Sequence, residues 1–230
     1  MRPGYPDELV DKLLALAPSR PRVVDLGAGT GHLAVPLARA GARVVAVEPA
    51  RAMLAVCAER VQGLPVELLL APAESTGLLP GSAELVVLAD AAQWVDPEAA
   101  GKEAARLLVA GGTAAAVEPR AADTPFMRGM EQLVREANPE RRPAGLGRAR
   151  QWLALASQGA PVHAVEFRQG VELTTPTLEG VLHSLSFLAP ALSSGRMERL
   201  VTDVTELARQ LGGARWERLL RLSWAQRRLR

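Results

Sequence analysis

Two acidic side chains and three glycines are the residues of this chain whose types and spacing could do chemistry. Asp25 stands two positions before Gly27, the glycines recur in Gly27-Ala28-Gly29-Thr30-Gly31, and Glu48-Pro49 follows twenty-one positions after the first glycine. The apolar run Val23-Val24-Asp25-Leu26 feeds straight into the glycines. A strand that ends in a glycine turn lets a ligand come close to the backbone and aims the positive end of the next helix at it. That arrangement suits a nucleotide-like ligand. A dinucleotide fingerprint would need its third glycine at position 32, where His32 stands, and no Gly-Lys-Ser/Thr phosphate loop occurs.

The two carboxylates choose among the remaining ligands. Asp25 would repel a pyrophosphate and attract a cation. Glu48, at the end of the second strand, can accept both hydroxyl protons of a ribose that carries no 2′-phosphate. S-adenosylmethionine offers a sulfonium, an amino group and a ribose with no phosphate, so it fits these residues better than NAD.

Residues this far apart in sequence need a scaffold, and the first part of the chain supplies one by alternating β-branched runs with helical patterns, the mark of parallel βαβ units. Asp7 starts a helix with Leu9, Val10, Leu13, Leu14 and Ala17 at helical spacing, ended by Pro18. Strands follow at 23–26, 44–47, 66–70, 85–89 and 113–117. Helices are expected at 30–40, at 50–62 with Met53, Leu54, Cys57 and Val61 on one face, and at 97–109 with Gly111 and Gly112 as its C-cap. A Pro/Gly/Ser-rich loop occupies 72–83. Beyond Glu118 helical patterns dominate, through Met127, Met130, Leu133, Val134 and Ala137, a Pro/Gly/Arg-rich loop, and Trp152, Leu153 and Ala156. These read as an inserted cap. A strand at 162–168 precedes further helix around Met197, Leu200, Val204 and Leu211. Trp216, Leu220, Leu222 and Trp224 alternate as a strand would, although Leu219 also permits a helix there.

Composition narrows the classes. The 230 residues, 48% apolar and 23% charged, can bury a full core, which excludes wholesale disorder. One cysteine and three histidines cannot build a Cys/His zinc cage, so no metal is expected. The longest stretch without charge, 180–195, contains Pro190 and four serines, so it falls short of the ~20 apolar residues that span a bilayer. Asp7, Glu8 and Asp11 stand where a secretory signal would be basic and then apolar, which points to a cytoplasmic protein. A net charge of +2 argues against general nucleic-acid binding. The arginines at 215, 218, 221, 227, 228 and 230 read as a solvated face.

Several segments together resemble class I S-adenosylmethionine-dependent methyltransferases. They are the glycine loop, the Glu48-Pro49 ending, Ala73-Glu74-Ser75-Thr76-Gly77-Leu78-Leu79-Pro80, and Asp90-Ala91-Ala92-Gln93-Trp94-Val95-Asp96. Within that family the chain is similar to the small-molecule branch that includes trans-aconitate methyltransferase-like proteins, as is its Arg2-Pro-Gly-Tyr-Pro6 start. Leu182-His183-Ser184-Leu185-Ser186-Phe187 is a looser echo. The resemblance implies a three-layer α/β Rossmann-like fold with a seven-stranded sheet whose last strand is antiparallel. It implies one domain over 1–230, with a core at 19–118 plus the strands near 162–168 and 215–226, and cap segments at 1–18, 119–160 and 172–212. It implies that Asp25 and the backbone of Gly27, Ala28, Gly29 and Gly31 hold the methionine moiety and that Glu48, followed by Pro49, takes the ribose. Ala73 would donate its amide to the adenine beside Glu74, and Asp90 with Ala91 would line the floor. The branch usually shows Gln, then His-Trp, where this chain has Asp90 and Gln93-Trp94. A catalytic histidine therefore does not transfer, and no catalytic residue is assigned.

Methyl transfer from a sulfonium is an in-line displacement whose donor is already activated, so alignment can suffice without a base. The acceptor candidates are Tyr5, Gln93, Trp94 and His183. Their bland readings are a flap tyrosine, a turn glutamine, a core tryptophan and a satisfied, half-buried histidine. His32 is expected to cap or line the loop, and Arg120 or Arg128 could meet an anion, though surface arginines are the default. A small-molecule acceptor is the first reading. A nucleic-acid or protein methyltransferase lacks support because the Asn/Asp-Pro-Pro-Tyr element is absent after strand 4. A cofactor-binding protein without turnover and an NAD-linked oxidoreductase are the further alternatives, and oligomeric state is not readable.

Overall fold

The β-branched runs become strands, and the structure, a computed structural model, describes residues 4–139, 147–185, 188 and 191–228. Arg2 and Pro3 of the start, Ser186 and Phe187 of the 182–187 echo, Pro190, the loop at 140–146 and Arg230 lie outside the described residues. In chain order the elements are α1 (Asp7–Leu14), β1 (Arg22–Leu26), α2 (Ala34–Arg39), β2 (Arg43–Val47), α3 (Arg51–Arg60), β3 (Val66–Leu69), β4 (Ala83–Ala89), α4 (Pro97–Leu107) and β5 (Leu108–Ala121). These are followed by α5 (Pro125–Ala137), α6 (Arg148–Ala156), β6 (His163–Leu173), α7 (Thr175–Ser184), α8 (Ser194–Gln210) and β7 (Ala214–Gln226).

The sheet runs in the order β3-β2-β1-β4-β5-β7-β6. β1 lies parallel to both β2 and β4, with Val24 opposite Val45 on one side and Val86 on the other, and β2–β3 and β4–β5 are also parallel. The chain thus winds outward from β1 to β3 and then returns to β4, which places a switch point at the carboxyl ends of β1 and β4. β7 is antiparallel to β5. The Ala122 amide donates to Glu217 O and the Arg227 amide to Gly112 O, so partner numbers run in opposite directions. The same holds on its other edge, where Arg215 meets Glu172, Arg218 meets Gln169 and Arg221 meets Glu166. This is the seven-stranded mixed sheet the resemblance implied.

Two compact units divide the chain. Among the described residues the larger takes in 4–119, 147–167 and 220–228. Its central strands are covered on both faces, so alternate residues enter different clusters: Val24, Leu26, Val86 and Leu88 pack with Leu107 and Trp152, while Val23, Leu85 and Val87 pack with Leu9, Leu13, Leu37 and Cys57. Among the described residues the smaller unit takes in 120–139 and those of 168–219. There α5, α7 and α8 bring Met127, Met130, Val134, Leu178, Leu182 and Val204 together with Trp216. Thr124 caps α5 by accepting from the Met127 amide, and Thr174 with Thr177 forms a reciprocal capping box on α7.

Several elements differ from the sequence reading, each for a local reason. Gly111 and Gly112 do not cap α4. The helix ends at Leu107 with Leu108 already extended, and the glycines lie inside β5, where Ala83 pairs with Leu108 but Leu85 pairs with Thr113. Gly111, at φ +74°, absorbs the extra residues as a bulge. α6, grouped by sequence with the cap, packs on α4 in the larger unit, where a Cβ at Gly101 would come within 2.7 Å of Leu155 Cβ. α1 likewise buries Leu9 and Leu13 in that unit's core. α2 begins at Ala34 because 31–33 form a turn, and of the α3 face only Cys57 and the adjoining Val61 are buried, leaving Met53 43% exposed. At the end of the chain the strand wins over the helix, its residues alternating inward and outward.

Candidate functional site

The glycine loop leaves β1 in the left-handed region, with φ of +71° at Gly27, +57° at Gly29 and +82° at Gly31. Space makes the same demand. A Cβ at Gly27 would stand 2.8 Å from Ala91 Cβ, and one at Gly31 would stand 2.7 Å from Cys57 Sγ. The loop therefore touches the segment after β4 on one side and α3 on the other.

Four of its amide hydrogens are already in use. Gly27 N and Ala28 N both donate to Val47 O, at 2.9 and 3.0 Å, and Gly31 N donates to Ala28 O at 2.9 Å. Gly29 N donates to Glu48 Oε2 at 2.9 Å, and Glu48 Oε1 accepts from Ala50 N at 2.9 Å. A phosphate cradle works by presenting unspent N–H groups. Here four of them are turned inward, and what the loop adds for a ligand is close approach rather than donors.

The charge beside the loop is negative. Asp25 is 1% exposed and Glu48 6%. Among the described residues Asp25 Oδ2 is buried with no hydrogen-bond partner, an expensive state for a carboxylate. Burial, and then the charge of Glu48, push the Asp25 carboxyl up to about 7. A cationic group brought to this oxygen would relieve both causes. Glu48 keeps a second lone pair on each oxygen after serving Gly29 and Ala50. Pro49 follows it at the end of β2, leading into α3.

Two further segments carry residues singled out by the sequence. Ala73 is buried in the core cluster of β4 and α4, and Glu74 Oε1 accepts from Asp96 N at 2.7 Å. Asp90 takes a left-handed φ of +51° and its amide donates to Val117 O at 2.9 Å. Gln93 Nε2 donates to Asp90 O at 3.0 Å, which folds the 90–93 turn on itself. Arg148, the first residue of α6, donates to Ala92 O and Val95 O. The structure thus brings Asp25, the glycines, Glu48 and Ala91 together, and it places Asp90, Gln93 and Trp94 in the turn that begins at Ala91's neighbour.

The acceptor candidates divide. Trp94 is 65% exposed and is no core tryptophan. Tyr5 packs partly buried against the cluster that contains Leu9 and Ala28. His183 lies in the smaller unit, its side chain 52% exposed and 4.0 Å from Glu179, so the half-buried histidine expected there is a surface one. Arg128 pairs with Asp123 at the surface. His32 bonds Thr30 Oγ1 through Nδ1, and Arg60 of α3 reaches both Thr30 O and the imidazole, so this histidine buttresses the loop from outside.

Sequence reasoning missed Arg60, Arg148, Thr76 and Glu103. Glu103 had a readable signal, an acid at helical spacing with the apolar Ala100, Ala104 and Leu107. Arg148 had none, since its partners stand more than fifty positions away.

Comparison with known proteins gives similar domains and folds. Residues 24–116 match the family of methyltransferase domains. That segment of the chain is a methyltransferase domain. An uncharacterized methyltransferase of Mycobacterium tuberculosis is 46% identical to this methyltransferase domain over 112 residues, 48% of this chain and 44% of that protein. The matched region spans less than half the length of that relative. A candidate type II methyltransferase from Anaeromyxobacter dehalogenans shares the fold over 100% of both chains, at a TM-score of 0.75 and 22% identity. A geranyl diphosphate methyltransferase in complex with S-adenosylmethionine shares the fold at a TM-score of 0.53 and 20% identity, over 96% of this chain and 83% of that one. Among the described residues no helix is long and apolar enough to cross a membrane.

Proposed function

We propose that the methyltransferase domain transfers a methyl group from S-adenosylmethionine to a small-molecule acceptor by in-line displacement. The observation that carries this reading is the unpartnered, buried Asp25 Oδ2 beside a glycine loop whose amides at 27, 28, 29 and 31 are all spent inside the protein. Such a site attracts a cation and offers a phosphate no donor at those positions.

When bound, S-adenosylmethionine supplies a methyl group already activated on a positively charged sulfur. The chain's residues hold and orient. Asp25 takes the positive end of the methionine moiety, and Gly27, Ala28, Gly29 and Gly31 let it lie against the backbone. Glu48 accepts the ribose hydroxyls while still anchoring Gly29 and Ala50, with Pro49 ending the strand. Ala73 and Glu74 border the adenine, and Asp90 with Ala91 forms the floor. Gln93 keeps its amide oxygen for an acceptor after its nitrogen has bonded Asp90 O, and the exposed Trp94 indole supplies a wall. Tyr5 and His183 remain acceptor candidates. Alignment of this kind can contribute about 7–11 kcal/mol to a displacement, so a general base is optional.

A small acceptor is favoured over a polymer because Asp90-Ala91-Ala92-Gln93 stands where amino-methylating enzymes grip a planar nitrogen, and because a net charge of +2 does little to attract a polyanion. Titration calorimetry with S-adenosylmethionine and NAD, followed by transfer of labelled methyl groups into a cell extract, tests the reading. Binding of S-adenosylmethionine alone, with label in the small-molecule fraction, is expected. Label confined to precipitable protein or nucleic acid contradicts the acceptor class, and preference for NAD contradicts the whole reading.

A further inference from the structure

Segment 71–80, between β3 and β4, is neither helix nor strand, and it carries Ala73 and Glu74. What places it is α4. Glu103 Oε1 accepts from Thr76 N at 2.9 Å and from Thr76 Oγ1 at 2.6 Å. Thr76 Oγ1 in turn accepts from Leu78 N at 3.3 Å. Arg106, one turn further along α4, donates to both Glu103 oxygens at 2.7 Å, and Gly81 N donates to Arg106 O at 3.0 Å. Near the start of the same helix, Glu74 Oε1 accepts from Asp96 N, the residue whose carboxylate caps α4. α4 therefore holds the segment at both of its ends.

Glu103 is only 9% exposed, and the Arg106 guanidinium, followed by the Thr76 donors, holds its carboxyl down to about 2. Desolvating this carboxylate is costly, and a packed apolar residue could serve stability as well. An apolar residue would not select one course for a segment that lacks a ladder of its own. The buried acid does so, because only one placement of Thr76 presents both its N–H and its hydroxyl to a single oxygen.

We propose that Glu103 is a positioning residue for nucleobase recognition, fixing through Thr76 where the Ala73 backbone meets the base of the cofactor. This rests on the proposed reading of 71–80 as the adenine segment. Glu103 touches no ligand; it acts by way of the segment.

The test measures calorimetric affinities of S-adenosylhomocysteine and S-inosylhomocysteine for the whole chain, for Thr76→Val and for Glu103→Gln, with thermal unfolding of each. The inosyl compound replaces an acceptor by a donor on the base edge that a backbone N–H would face, so the wild type should prefer the adenosyl compound by about tenfold or more, the worth of one hydrogen bond. Both variants should weaken adenosyl binding by about tenfold, leave inosyl binding nearly unchanged, and so bring the ratio toward one. A wild-type ratio in both variants, equal losses for both compounds, or a wild type indifferent to the base overturns the proposal. A wild type that binds S-adenosylmethionine and its product not at all removes the cofactor reading first, and this inference with it.

Discussion

The Glu48 carboxylate receives the Gly29 amide at 2.9 Å across nineteen residues of sequence, so the acid that ends β2 also shapes the loop that ends β1. Ligand recognition and loop conformation therefore share one side chain. Glu48→Gln would set an amide NH2 against the Gly29 or Ala50 N–H, and Glu48→Ala would leave both without their acceptor. Either variant is expected to lose S-adenosylmethionine affinity by about a hundredfold and to destabilise the free protein by roughly 1–3 kcal/mol. Calorimetry and denaturant unfolding check this, and unchanged affinity would remove the ribose assignment.

Gly31→Ala combines two faults, a positive φ of +82° and a Cβ 2.7 Å from Cys57 Sγ. A cost of about 2–4 kcal/mol is expected. Cys57→Ala removes the sulfur and should recover part of that cost in the double variant, leaving the backbone strain. A double-mutant cycle in urea measures the coupling, and strictly additive effects would show that the contact is not shared.

Asp25 makes stability and binding respond oppositely to pH. Burial and the charge of Glu48 push its carboxyl up to about 7 in the folded protein, above the 3.8 of an ordinary aspartate, so between those values the folded state holds a proton that the unfolded chain has released. Stability of the ligand-free protein should therefore fall as pH rises from about 4 to about 7 and then level off. Asp25→Asn should lack this decline, be the more stable protein at pH 8, and bind S-adenosylmethionine far more weakly. A cation seated against the carboxylate favours its ionised form, so binding at pH 6 should release protons to buffer. Calorimetry in buffers of different ionisation enthalpy detects this, and a buffer-independent heat would count against Asp25 as the cation's partner.

Trp152 has no exposed surface and packs between α6 and α4 in the core of the larger unit. Trp152→Ala should cost about 3–5 kcal/mol in denaturant unfolding, as for other large core truncations. A loss below 1 kcal/mol would mean that α6 is an appendage, as the sequence pattern suggested.

Local and periodic signals were legible without coordinates. Alternating β-branched runs and helices announced parallel βαβ units, and Asp25, the three glycines and Glu48 were identifiable because the βα turn and the strand end are fixed by near neighbours in sequence. The period-2 pattern at Trp216, Leu220 and Leu222 favoured a strand, but Leu219 also allowed a helix, and pairing in the sheet decided it. Tertiary packing decided the rest. Whether α6 belongs to a cap or to the core depends on the close approach at Gly101, and the glycines at 111 and 112 serve a bulge only because β4 lies beside them. The spending of the loop's amides on Val47 O and Glu48, like the grip of Glu103 on Thr76, joins groups separated by many residues. Sequence spacing sets which residues can face one another within an element, while hydrogen bonds between elements exist only after the layers have packed.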